Sequence, residues 1–166
     1  PYDGVGHLEL TAGLSALDAK YTRFPNAPIL VPNPAGGNTQ LPCPLPDTPA
    51  CSAAGHKMIR SPDFTSSLGA SYSQPIGALK ADANVSWYHS GSFYWEVDNR
   101  LKQKAYNTVN AEVAIGAPDG GWRARLYVRN LFKEEYYQAP SISTLGDAFV
   151  AAAPRTYGVS IAFKVE

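Results

Sequence analysis

Between Ala105 and Phe132 apolar and polar side chains alternate without a break on both sides of one turn. Val109, Ala111, Val113 and Ile115 share one parity, against Tyr106, Thr108, Asn110 and Glu112 on the other. After Pro118-Asp119-Gly120-Gly121 the order resumes, with Trp122, Ala124, Leu126 and Val128 against Arg123, Arg125, Tyr127 and Arg129. Alternation of period two around a Gly-rich turn predicts a β-hairpin. Pairing Ala117 with Trp122 sets apolar against apolar along the ladder. The same register sets Glu112 opposite Tyr127 and diagonal to Arg125 and Arg129.

The same period recurs along the chain. Leu8, Leu10, Ala12, Leu14 and Ala16 oppose His7, Glu9, Thr11, Gly13 and Ser15, with Lys20 and Thr22 continuing the first parity as polar residues. Phe64, Leu68, Ala70 and Tyr72 alternate with Thr65, Ser67, Gly69, Ser71 and Ser73 before a turn at Gln74-Pro75-Ile76-Gly77. Leu79, Ala81, Ala83, Val85 and Trp87 alternate with Lys80, Asp82, Asn84, Ser86 and Tyr88. Tyr157, Val159, Ile161, Phe163 and Val165 close the series. Strands are thus expected over 7–24, 63–74, 78–90, 104–117, 121–132 and 154–165. Long connections are expected over 25–62, 91–103 and 133–153, the first so rich in proline that a paired central strand is excluded.

Connections alternate long and short between six strands of about ten residues, as in an up-and-down barrel of the outer membrane. A soluble Greek-key sandwich has shorter strands and no reason for that alternation. The predicted fold is all-β: six long antiparallel up-and-down strands forming part of a transmembrane β-barrel. The apolar stripes then meet lipid and the polar stripes line a lumen. Six strands cannot close around a lumen, since the smallest such barrels have eight. A larger cylinder is expected, and the opening PYDGVGHLEL, with neither basic nor apolar leader region, reads as a start within a longer protein. The competing prediction is a soluble extracellular β-domain that binds carbohydrate or protein through aromatic loops.

Composition narrows the chemistry. Fourteen basic residues balance fourteen acidic ones, so there is no electrostatic footprint for nucleic acid. No run of about 18 apolar residues predicts a spanning helix, which leaves strand-built membrane proteins open. Cys43 and Cys51 flank the Pro-rich stretch CPLPDTPAC and read as a local disulfide in an oxidising compartment, with two free thiols as the alternative. The three histidines are dispersed, and no metal set, nucleophile triad or phosphate loop can be named, so neither an enzyme nor a cofactor is expected.

The most specific stretches are VRNLF-x-x-x-YY and PRTYGVSI, with SPDFTSSLGASYSQPIGALKADANVSWYHSG before them. They resemble the C-terminal barrel strands of TonB-dependent receptors of Gram-negative outer membranes. That resemblance implies a 22-stranded barrel closed by an N-terminal plug domain absent here, taking up a scarce ligand with energy relayed by TonB. The implied partners are outer-membrane lipid, the TonB complex through the N-terminal part, the barrel-assembly machinery and a small ligand such as a metal chelate. A ferric siderophore is the favoured cargo, while haem, cobalamin, nickel and oligosaccharides are carried by the same strands. Members commonly end on an aromatic residue; here Val165 and Glu166 stand at the end, with Phe163 before them.

Lys80, Asp82, Asn84, Asn110, Glu112, Arg123, Arg125 and Arg129 are expected to face the lumen, where they contact plug or ligand or simply solvate the wall. Tyr94, Trp95, Tyr136 and Tyr137 are the loop residues expected to touch ligand. Trp87 and Phe93 are expected in the aromatic girdle at the membrane interface.

Overall fold

The computed structural model describes residues 5–42 and 51–164. In chain order the strands are β1 (His7–Ala16), β2 (Leu30–Pro32), β3 (Asn38–Gln40), β4 (Phe64–Ile76), β5 (Leu79–Ser90), β6 (Phe93–Tyr94), β7 (Lys102–Gln103), β8 (Tyr106–Gly116), β9 (Trp122–Arg129), β10 (Tyr137–Ser143), β11 (Gly146–Ala151) and β12 (Thr156–Phe163). Six of them form one antiparallel sheet in the order β1-β4-β5-β8-β9-β12, so each long strand pairs with its sequence neighbours. The sheet is open, with β1 and β12 at its edges.

The register follows the alternation. Glu112 pairs with Tyr127 and Val113 with Leu126, and the Ala117 amide donates to the Trp122 carbonyl at 3.0 Å. From edge to edge, Leu10, Ala70, Val85, Ala111, Val128 and Tyr157 fall in one row. A second row runs Leu8, Tyr72, Ala83, Val113, Leu126 and Val159. Large side chains stand beside small ones, giving one continuous apolar face. The opposite face carries Glu9, Ser71, Asn84, Glu112, Tyr127 and Gly158 in a single row.

At one end the strands are joined by tight turns. Gly77 takes a φ of 58° between β4 and β5, and Gly120 a φ of 79° between β8 and β9, a conformation that side-chain-bearing residues disfavour. Asp119 Oδ1 accepts the Gly121 amide at 2.9 Å and fixes the second turn. The first turn lies two residues beyond its expected place, because Pro75 and Ile76 still pair with Lys80 and Leu79.

At the other end the three connections are not structureless. Each holds a short hairpin: β2–β3, β6–β7 and β10–β11. The Pro-rich segment forms its hairpin with Pro32 as a terminal pair opposite Asn38. The first strand, expected to run through residue 24, ends at Ala16. Past that point Tyr21 and Phe24 pack against Ala27, Ile29 and Ala53, and burying two aromatic rings outweighs extending an edge ladder. β9 and β12 are also shorter than expected, at eight residues each. β9 stops where Asn130 turns to a φ of 51°.

Burial is distributed in an unusual way. Among the described residues the buried apolar ones are Ala27, Ile29, Cys51, Ala53, Phe93, Trp95 and Ala114, of which only Ala114 lies in the large sheet, on its polar face. No apolar side chain of the apolar face is buried: Leu14 is 78% exposed, Leu126 56% and Val159 68%. An apolar surface of this extent is not left in water by a stable protein.

The expected partner of that face is lipid. Leu126→Arg, mid-strand on it, is predicted to destabilise the intact protein by about 2–4 kcal/mol, while Arg125→Leu on the opposite face costs much less. Urea unfolding in phospholipid vesicles measures both, and equal tolerance at the two positions would contradict the assignment.

Candidate functional site: the polar face and the loop cap

On the polar face charge is compensated between neighbours along one strand and across diagonals of the ladder. Asp82 lies 3.4 Å from Lys80 Nζ and 3.3 Å from Arg123 Nη2. Glu112 accepts from Asn84 Nδ2 at 3.3 Å and pairs with Arg125 Nη1 at 3.7 Å. Arg125 and Arg129 lie against the Tyr127 ring, at 5.6 and 5.9 Å from its centroid. The ring itself covers Gly158, where a Cβ would come within 2.6 Å of the phenol oxygen. Exposed pairs of this kind add little stability, so the rows are better understood as a wetted wall than as a brace.

The wall continues upward in tyrosines. Tyr88 and Tyr106 lie 6.3 Å apart, and Tyr106 stacks on Tyr136 at 4.2 Å with the rings nearly parallel. Asn130 joins wall to cap. Its amide donates to Asn110 Oδ1, its Nδ2 donates to the carbonyls of Glu134 and Ala153, and its Oδ1 accepts the Glu134 amide.

The cap is a folded layer made from all three connections. Ala27, Ile29 and Ala53 form its centre, with Val97 of the second connection packed against them. His56 Nδ1 donates to the Val97 carbonyl at 2.8 Å, and Asn99 exchanges two hydrogen bonds with the Lys57 backbone. The Asn38 amide donates to the Thr144 carbonyl at 2.9 Å. The Tyr137 amide donates to Gln103 Oε1 at 3.1 Å. A cavity of about 960 Å³ lies between the second and third connections, edged by Tyr136, Tyr137, Gln103 and Asn130. Lys102, Lys104, Lys133 and Arg155 border it, against Glu134 and Glu135, an excess of positive charge.

The family described as TonB dependent receptor-like, beta-barrel matches residues 6–131. The chain belongs to the TonB-dependent receptor barrels. That family comprises receptors and transporters of the outer membrane of Gram-negative bacteria rather than enzymes. No curated protein and no solved structure matches the chain. In this receptor barrel the match covers β1 to β9, and the motif VRNLF straddles its end.

All eight residues named for the lumen share the polar face of the sheet. Of these, Lys80, Asp82, Asn84, Glu112, Arg123 and Arg125 are brought into contact. Asn110 bonds Asn130 instead, and Arg129 makes no ion pair with any described residue.

The loop aromatics divide. Tyr136 and Tyr137 border the cavity. Trp95 does not: it is 6% exposed, meets Phe93 edge-on at 4.8 Å and lies under the Arg60 guanidinium. Tyr94 is half-buried beside Lys102. Phe93 is buried in the cap, so it is not a girdle residue. Trp87 keeps its place on the apolar face near the cap, 6.1 Å from the His89 ring. Cys51 is buried and disulfide-bonded, while Cys43 lies outside the described residues.

Sequence reading missed Arg100, Asn99, Gln103 and Asn130. Arg100 is the most connected, meeting Glu96, Asp98 and Asp147. The local signal was the Glu-x-Asp-x-Arg spacing from Glu96 to Arg100. Asn99 and Asn130 take φ of 59° and 51°, values that asparagine tolerates better than most residues.

Trp95→Ala is predicted to cost the cap about 3–5 kcal/mol. Limited proteolysis of the intact receptor should then cut within 25–62 as well as 91–103, whereas Tyr137→Ala leaves the cut pattern unchanged.

Proposed function

We propose that the chain forms barrel wall and outer loops of a receptor for active uptake of a scarce ligand, with a ferric siderophore as cargo. The observation that carries this reading is the uncovered apolar face of a sheet whose family is an outer-membrane barrel. On it, the polar face lines the lumen and Lys80, Asp82, Asn84, Asn110, Glu112, Arg123, Arg125 and Arg129 present charge and hydrogen-bonding groups to water, plug or passing ligand. Lipid touches the apolar face. Energy comes from the TonB complex through the plug, and the barrel-assembly machinery inserts the whole.

The cap supplies recognition. Tyr136 and Tyr137 offer flat rings at the cavity, and the cationic excess around them suits an anionic chelate. The disulfide that Cys51 makes suits a cap that faces an oxidising compartment.

Titration calorimetry on the intact receptor tests the cargo, using ferric chelates of negative, zero and positive charge. The anionic chelate is expected to bind tightest. Tyr137→Ala is expected to weaken it by about tenfold, as loss of a contact aromatic commonly does. Binding of cobalamin, a nickel chelate or an oligosaccharide, with no ferric chelate bound, would overturn the siderophore reading and leave the receptor reading standing.

A further inference from the structure

Arg100 occupies a singular place in the cap. It sits in the second connection, yet its terminal nitrogens both reach the Asp147 carboxylate on β11 in the third, one at 3.2 Å. Nη2 also donates to Glu96 Oε1 at 3.0 Å, and Nε lies 3.8 Å from Asp98. Asp147 Oδ1 in turn accepts from Asn38 Nδ2 of the first connection at 2.8 Å, and the same nitrogen donates to the Ser143 carbonyl. One guanidinium and one carboxylate therefore link all three connections. Both side chains are about four-fifths buried, at 21% and 20% exposure, where a charged hydrogen bond is stronger than at the open surface.

We propose that the Arg100–Asp147 pair is a clasp that makes the three outer connections a single moving part, so that this sector of the cap opens or closes as one body. The inference stands whatever the ligand, because it rests on contacts between loops and not on the cavity.

The cluster around the clasp is over-supplied with acid. Three carboxylates, Glu96, Asp98 and Asp147, share one guanidinium. Glu96 Oε2 and Arg100 Nε are buried without a hydrogen-bond partner among the described residues. Two carboxylates can bond each other only if one holds a proton, so a protonated Glu96 gains Asp98 as an acceptor. Burial first, and then the charge of Asp98, push the Glu96 carboxyl up to about 7 against the pull of Arg100. Asp147 is held below the ordinary carboxylate range by its bond to Arg100, so it stays ionised and keeps the clasp closed. Of the other titratable groups of the adjoining segments, His56 is bonded to the Val97 carbonyl, Lys57 is bonded to Asp63, Lys102 lies over the Tyr94 ring and Arg60 over the Trp95 ring.

The sign follows from Glu96. An acid whose folded value lies above its unfolded one contributes stability below the unfolded value. That contribution is lost as pH rises through the folded value. The clasp is thus tightest in mild acid and loosens as pH passes about 7.

Hydrogen exchange on the intact receptor in detergent micelles tests this, with rates corrected for the intrinsic effect of pH. Arg100→Gln should raise exchange at Asn38 and across residues 137–151 by about tenfold, one hydrogen bond's worth to a charged group, while amides of β8 and β9 hold. Loss of protection confined to 96–101, or no loss, would overturn the clasp. Glu96→Gln keeps the clasp and mimics the protonated acid, so cap exchange should become the same at pH 6 and pH 8. His56→Gln serves as the control that retains the pH response. Wild-type cap exchange that does not change between those two pH values would overturn the role given to Glu96.

Discussion

At bilayer depth there is no water, so every backbone N–H and C=O must find its partner in a neighbouring strand. The sheet meets that demand internally across four of its strands. β4, β5, β8 and β9 are paired on both sides, and the ladder from Leu79 to Ser90 pairs with β4 without a register shift. Only β1 and β12 present an unpaired edge within the sheet. The barrel family supplies the physical reason for such edges, because in a cylinder each edge is closed by a further strand. Side-chain placement is a consequence of the same ladder. Once the backbone is committed to pairing in the plane, its two faces are free to serve two different solvents.

That division inverts the usual economy of a small domain. A soluble protein places its core between sheets; here, among the described residues, the packed apolar cluster lies in the connections and not against the sheet. Ala27, Ile29 and Ala53 gather Tyr21, Phe24 and Val97 around them, and Phe93 and Trp95 form a second aromatic contact nearby. Connections that leave the membrane enter water, where apolar burial again stabilises. Each connection is therefore long enough to fold, whereas the turns at the opposite end carry no such load. The proposed function follows the same split, with the wall assigned a polar path and the cap assigned recognition at its mouth.

The sheet was legible in the chain because its signal is local. Period two from Tyr106 to Arg129, with a turn at Asp119-Gly120, specifies both the hairpin and the pairing of Glu112 with Tyr127. The cap was not legible, for a physical reason. Trp95 in a loop has no periodicity to say whether it faces ligand or is packed under Arg60. Arg100 finds its partners through Asp147 and Asn38, whose distance along the chain leaves no pattern. The end of β1 was misread because alternation persists past Ala16, while its pairing partner β4 begins only at Phe64. Asn130 ends β9 by its backbone conformation, and the motif in which it stands is the same one that carried the family resemblance.

The central claim is that the two faces of the sheet meet different solvents. Spin labels placed singly at Leu10, Leu126 and Val159, and at Thr11, Arg125 and Ser160, read this directly in the intact receptor reconstituted in lipid. Collision with dissolved oxygen reports hydrocarbon, and collision with a water-soluble nickel complex reports an aqueous surround. The first set is predicted to be reached by oxygen and shielded from nickel, and the second set the reverse. Labels of the first set shielded from both reagents, as in a packed protein core, would contradict the account.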